Sequence, residues 1–148
     1  MMNVVFEADF AKVWSDGYSP CIFATMNSIP SVTRFKEMSD AYLKLVKKLS
    51  HEYGQVYGLS NLSDSQPISI ETLYLYYNTY LPKQFQYGLR YKAYVKPRNL
   101  FSQFSLEEVL KGLDSNKVEV FNTFEEALNA VNRKRAGKTT LYYGQTVL

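Results

Sequence analysis

Two short apolar runs, CIFATM at Cys21–Met26 and QVYGLS at Gln55–Ser60, stand on either side of one amphipathic stretch, Ser31–Ser50. Within it Phe35, Met38, Tyr42, Leu45, Val46 and Leu49 recur at three-to-four spacing and form one apolar stripe of a helix. Ser31 or Thr33 can cap its start, Lys44, Lys47 and Lys48 suit the negative end of its dipole, and His51 and Gly54 mark its exit. A strand, a helix and a strand in that order predict a parallel crossover, because parallel neighbours need a long connection and antiparallel ones only a tight turn. That single inference places the chain in the α/β class.

The rest of the chain extends the pattern. Val4–Phe6 and Phe10–Trp14 alternate apolar and polar residues, and Asp16-Gly17 is a turn signal, so this region pairs back on Cys21–Met26 as the antiparallel start of a sheet. After Ser60 comes a polar loop to Pro67, then a helix from about Ser69 with Ile70, Leu73, Tyr74, Tyr77 and Leu81 on its inward face. Tyr76 and Tyr80 pair at i, i+4 on a different face, which suits an interface with a second copy or a partner protein. Pro82 breaks or kinks this helix, and a short second piece reaches Gly88.

Arg90–Val95 and Val118–Phe121 read as further strands. Ser105-Leu106-Glu107-Glu108 and Thr123-Phe124-Glu125-Glu126 both have the form of a capping box that opens a helix. The expected order is β-β-α-β-α-β-α-β-α, a mixed sheet of four to five strands with about four helices in a single domain. The domain spans residues 1–135, and residues 136–148 form a tail; its Leu141–Tyr143 and Val147-Leu148 suit packing on an exposed sheet edge of its own or a neighbouring subunit, and a frayed terminus is the equal alternative.

Composition narrows function mainly by exclusion. One cysteine, Cys21, in an apolar run reads as a small buried hydrophobe and fits a reducing compartment. No apolar run approaches the roughly 18 residues of a membrane span, and MMNVVFEADF meets acidic residues too early for a secretory signal, so the cytoplasm is expected. A net charge of +3 is mild, and the one dense basic cluster, Arg133, Lys134 and Arg135, is explained by a helix end. Nucleic acid is therefore not an expected partner, since its binding wants a wider basic stripe.

No chemistry-bearing constellation stands out. Gly137-Lys138-Thr139 resembles the end of a phosphate loop, but Asn132 occupies the position of its required glycine, and a helix rather than a strand precedes it. His51 is alone, no metal-ligand spacing occurs, and no cofactor is expected. Asp9, Asp16 and Asp64 are scattered, while Glu107, Glu108, Glu125 and Glu126 are accounted for as helix-start residues. Catalysis needs two groups converging with separated pKa values, and nothing in the pattern points to that, so the expectation is not an enzyme.

The segments VVFEADFAKV, LYLYYNTYLP, FSQFSLEEVL and VEVFNTFEEALNAV, and the element order that joins them, resemble the STAS-like fold of bacterial anti-sigma-factor antagonists. The chain is similar to small STAS-like proteins found in Bacteroidetes, over Val4–Arg135. The resemblance implies a non-catalytic interaction or regulatory module. The antagonists carry a phosphorylatable serine at the start of the helix after the central strand, and the equivalent segment is LSNLSDSQPIS. It marks Asn61, Ser63, Asp64 and Ser65 as the ligand or regulatory loop, with Asn61 where the antagonists have an acid and Gln66-Pro67 where they have a glycine-containing helix start. The alternative is a small-molecule domain for a lipid or nucleotide, distinguished by a cavity beside Ser60–Ser65.

Overall fold

The computed structural model describes residues 2–147, with side chains through residue 135. Six strands form one sheet in chain order: β1 (Asn3–Ala8), β2 (Ala11–Ser15), β3 (Cys21–Met26), β4 (Val56–Asn61), β5 (Leu89–Val95) and β6 (Val118–Phe121). β1, β2 and β3 are antiparallel, whereas β3 to β6 run parallel. The α/β class and the mixed sheet are as expected.

The strand count is not. Val4–Trp14 is two strands joined by a tight turn at Asp9-Phe10, which carries no glycine or proline to announce it. The turn is held by its core contacts instead: Phe10 is buried against Phe6, and the Arg34 guanidinium lies 5.4 Å from the centre of its ring.

The parallel half dictates where the helices lie. Each crossover steps the same way along the sheet, so right-handed connections put every connecting helix on one face. These are α1 (Val32–Tyr53), a rod of α2 (Ile70–Leu75), a π-helical turn (Tyr76–Tyr80) and α3 (Leu81–Gln86), and α4 (Leu100–Leu110). Their apolar residues merge with Met26, Tyr94 and Val118 of the sheet. α5 (Phe124–Val147) follows β6 and covers the other face, where Ala127, Ala130 and Val131 pack on Tyr57, Leu59, Tyr91 and Ala93. Among the described residues no helix is long and apolar enough to cross a membrane.

Local signals worked where the chain meets solvent. Ser31 caps α1, its side chain accepting from Arg34 N–H at 3.2 Å, and Gly54 ends it at φ 85°, donating to Ser50 O. Thr123 caps α5 by accepting from Glu126 N–H at 3.1 Å. His51 is exposed in the last turn of α1, and Cys21 is buried.

Three local expectations are corrected. The Ser105 box lies in the middle of α4, whose start is capped earlier in the chain, by Asn99 accepting from Ser102 N–H. Glu107 and Glu108 are therefore not first-turn residues, and Glu107 sits 3.6 Å from Lys96. The basic cluster Arg133–Arg135 is also mid-helix, because α5 continues past it, so the dipole explanation fails. Lys134 instead lies over the Tyr91 ring, and Arg135 reaches the Cys21 sulfur. The expected packing of the tail concerns side chains beyond residue 135, outside the described ones.

The third correction concerns the rod. Pro82 has no N–H to return to Asn78, and the helix accommodates it by widening in the preceding turn, where Leu81 N–H donates to Tyr76 O. The wide turn rotates the residues on either side relative to one another, so Ile70 and Tyr74 are exposed while Thr72, Tyr80 and Leu81 are buried. Tyr76 and Tyr80, expected at an interface, turn into the protein.

Candidate functional site

β5 is interior to the sheet, with β4 on one side and β6 on the other, and both of its faces are covered. Such strands are expected to be continuously apolar. Five of its seven residues are Leu89, Tyr91, Ala93, Tyr94 and Val95, but Lys92 sits among them with only 3% of its surface exposed. A lysine is almost never this buried without an acidic partner.

Alternation along the strand turns Lys92 toward α1 and the α2–α3 rod. Its Nζ donates to Gln84 Oε1 of α3 at 2.9 Å and to Tyr76 Oη of the π turn at 3.0 Å. Tyr76 Oη in turn is hydrogen-bonded to Tyr94 Oη. The amine also lies 4.2 Å from the centre of the Tyr42 ring, with the rings of Tyr76 and Tyr94 beyond at 5.3 and 5.5 Å. One lysine thus stands inside a box of three tyrosines and a glutamine. The π turn that Pro82 enforces is what supplies Tyr76 to that box.

The box is one wall of a cavity of about 90 Å³. Val13, Ala24 and Met26 of the sheet, Phe35 and Met38 of α1, and Leu106 and Val109 of α4 give it an apolar lining. Ser60 and Leu62 border it where β4 ends, and Ile68, Thr72 and Leu73 where the rod begins. It lies toward the carboxyl ends of the parallel strands, where open α/β sheets place their sites.

Electrostatics follow from enclosure. Loss of hydration pulls Lys92 down to about 7, and among the described residues no opposite charge offsets it. Burial likewise pushes Tyr42, Tyr76 and Tyr94 up, so their hydroxyls stay protonated. The Tyr42 hydroxyl is buried without a hydrogen-bond partner among the described residues, and it fits because residue 58 is glycine: a Cβ there would lie 2.5 Å from it. The wall therefore combines hydrogen-bond donors with one amine balanced between its two protonation states near neutral pH.

The residues expected to form the regulatory loop lie beside this cavity but do not line it. Asn61 Oδ1 accepts from Ser63 N–H, an Asx turn, and Ser63 O accepts from Arg98 N–H. Asp64 pairs with Arg98 at 3.2 Å, both exposed. Ser65 is buried, its hydroxyl donating to Gln66 O, so phosphate transfer to it would require the loop to open. Neither Ser63 nor Ser65 stands at a helix start, since α2 is capped by Ser69. Tyr80 packs edge-on against Phe35, at 6.0 Å.

The sequence pattern does not single out Lys92, Gln84, Tyr42 or Gly58 as site residues. The available signal is Lys92 itself, a charge inside the short run RYKAYV of a strand expected to be interior. Among the described residues no cluster of histidine, cysteine, aspartate and glutamate could hold a metal ion. No family model matches the chain, and a search of curated proteins finds no significant relative.

Proposed function

We propose that the protein is a non-catalytic binding module that holds a small, mostly apolar molecule in the cavity between strands β2–β5 and the helices α1, α2 and α4. The observation that carries this reading is the cavity itself, about 90 Å³ beside Ser60, the feature that separates a small-molecule domain from a pure interaction domain. A fold with close-packed interiors leaves few such spaces, and an apolar lining with a handful of polar groups is the usual make-up of a ligand site. The STAS-like resemblance is compatible with it, since such domains work by binding.

The test is an NMR titration of the amide-labelled protein with n-propanol as a neutral probe. Shifts confined to Ala24, Ser60, Leu62, Thr72 and their neighbours support the reading. Absence of shifts up to the highest probe concentration that leaves the fold intact would remove it.

A second reading has its own support. Ile70 and Tyr74 on α2 and Leu100, Phe101 and Phe104 on α4 are exposed apolar side chains, which suits a cytoplasmic STAS-like regulatory module that docks a partner protein or a second copy. Native mass spectrometry distinguishes them: a dimer mass favours docking, and a monomer with extra small mass favours the cavity.

A further inference from the structure

Among the described residues, the cavity contains one ionisable cation and no anion to match it. Lys92 spends two of its donors on neutral acceptors, Gln84 Oε1 and Tyr76 Oη. The titratable groups that face it are Tyr42 from α1, Tyr76 from the π turn and Tyr94 from its own strand, all held protonated; Gln84 from α3 does not titrate. No described aspartate or glutamate lines the cavity. A buried charge is stable when paired, and these walls supply no pair. The Tyr42 hydroxyl is a further unused donor in the same wall.

We infer that the ligand of this cavity is a short-chain monocarboxylate, whose carboxylate is the missing partner of Lys92 and whose hydrocarbon end lies among the apolar walls. The inference rests on the cavity being a binding site. One negative charge matches one ammonium, whereas a phosphate dianion would leave a second charge buried with no counter-ion. Size sets the chain length: about 90 Å³ is well below the ~150 Å³ void that accepts benzene, so the acid is smaller than benzene, with about two or three carbons.

Binding of this kind is linked to a proton. Free Lys92 titrates at about 7, and a carboxylate beside it favours the ammonium and raises that value. At pH 8 the complex therefore takes up a proton; at pH 6 the amine already carries it. Affinity falls as pH rises above 7, by up to about tenfold per unit until the raised value is passed.

Propionate and n-propanol share a chain and differ in the head group, so the pair separates the two levels of inference. By NMR titration at pH 6, propionate should bind roughly tenfold or more tightly than propanol, as expected for a charge-assisted contact. Its affinity should drop between pH 7 and pH 9 while that of propanol stays level. Calorimetry at pH 8 in buffers of different ionisation heat should show close to one proton taken up with propionate. Lys92→Met should abolish the preference and the pH dependence. Equal binding of the two probes by the unmodified protein, or no proton uptake at pH 8, overturns the monocarboxylate inference and leaves the cavity reading standing. Failure of both probes overturns both.

Discussion

Tyr91 and Lys92 are neighbours on β5, are both buried, and point to opposite faces of the sheet. On the α5 face, Tyr91 has every interaction it needs. Its hydroxyl donates to Glu119 at 2.9 Å, Lys134 lies over its ring, and Ala127 and Ala130 let the helix approach closely. On the other face, Lys92 has neutral hydrogen-bond acceptors, aromatic rings and an adjoining cavity, but no carboxylate among the described residues. One face is packed for stability. The other keeps an ionisable group at a cost that packing alone does not require, and a group of that sort marks where function is sought.

The largest expected effect breaks the packed face. Tyr91→Ala removes a ring with none of its surface exposed and should cost about 3–5 kcal/mol, read as a lower urea midpoint. Next comes the opposite sign on the opposite face. The unfolded chain holds Lys92 protonated up to about 10.5, whereas in the folded protein it titrates at about 7. Between those values the unfolded state binds the extra proton, so stability rises with pH; below 7 the full burial penalty is present. Lys92→Met should therefore stabilise the fold by roughly 1–4 kcal/mol at pH 6, with the gain shrinking steadily toward pH 10 in thermal melts. A destabilised variant at pH 6 would mean that the amine is better satisfied than its contacts suggest.

A third substitution sharpens the picture of the tyrosine box. Gly58→Ala puts a methyl 2.5 Å from the Tyr42 hydroxyl and 3.4 Å from the Lys92 side chain. Overpacking of this sort should cost about 1–3 kcal/mol and shift the Tyr42 ring signals in NMR spectra. The smallest effects compare the two capping boxes. Thr123→Ala should cost about 1 kcal/mol, because Thr123 caps α5, whereas Ser105→Ala should change the stability read from urea melts by less than about 0.5 kcal/mol, because Ser105 is inside α4.

The two boxes also show why parts of the fold are legible in the sequence and others are not. Both read alike, with a hydroxyl three residues before a glutamate. Thr123 comes just after β6, which ends at Phe121, so the strand leaves the helix no earlier turn to start in. Ser105 is preceded by Asn99, whose side chain caps first, and Leu106 and Leu110 then continue one helix onto the sheet. The β1–β2 turn is hidden for a related reason. Asp9-Phe10 has no special backbone preference, and burial of Phe10 fixes the turn from a distance. In the rod, a periodicity counted from Ile70 takes 3.6 residues per turn throughout, and the π turn moves Tyr76 and Tyr80 inward. The same rotation separates the candidate site from its sequence reading: the loop from Asn61 to Ser65 is visible as a polar break, and the tyrosine box beside it is not.

By itself the sequence determined what short-range chemistry decides: the amphipathic α1 and its caps, the parallel crossover to β4, the absence of metal-ligand spacing and the α/β class. Only the tertiary structure decided which face each residue of β5 meets, that α5 covers the far side, and that Lys92, Tyr42, Tyr76 and Gln84 converge from four elements. The physical reason is that alternation and periodicity are local properties of the backbone, whereas the pairing of a buried charge depends on groups brought together from residues 42 to 94, and that meeting exists only once the sheet has formed.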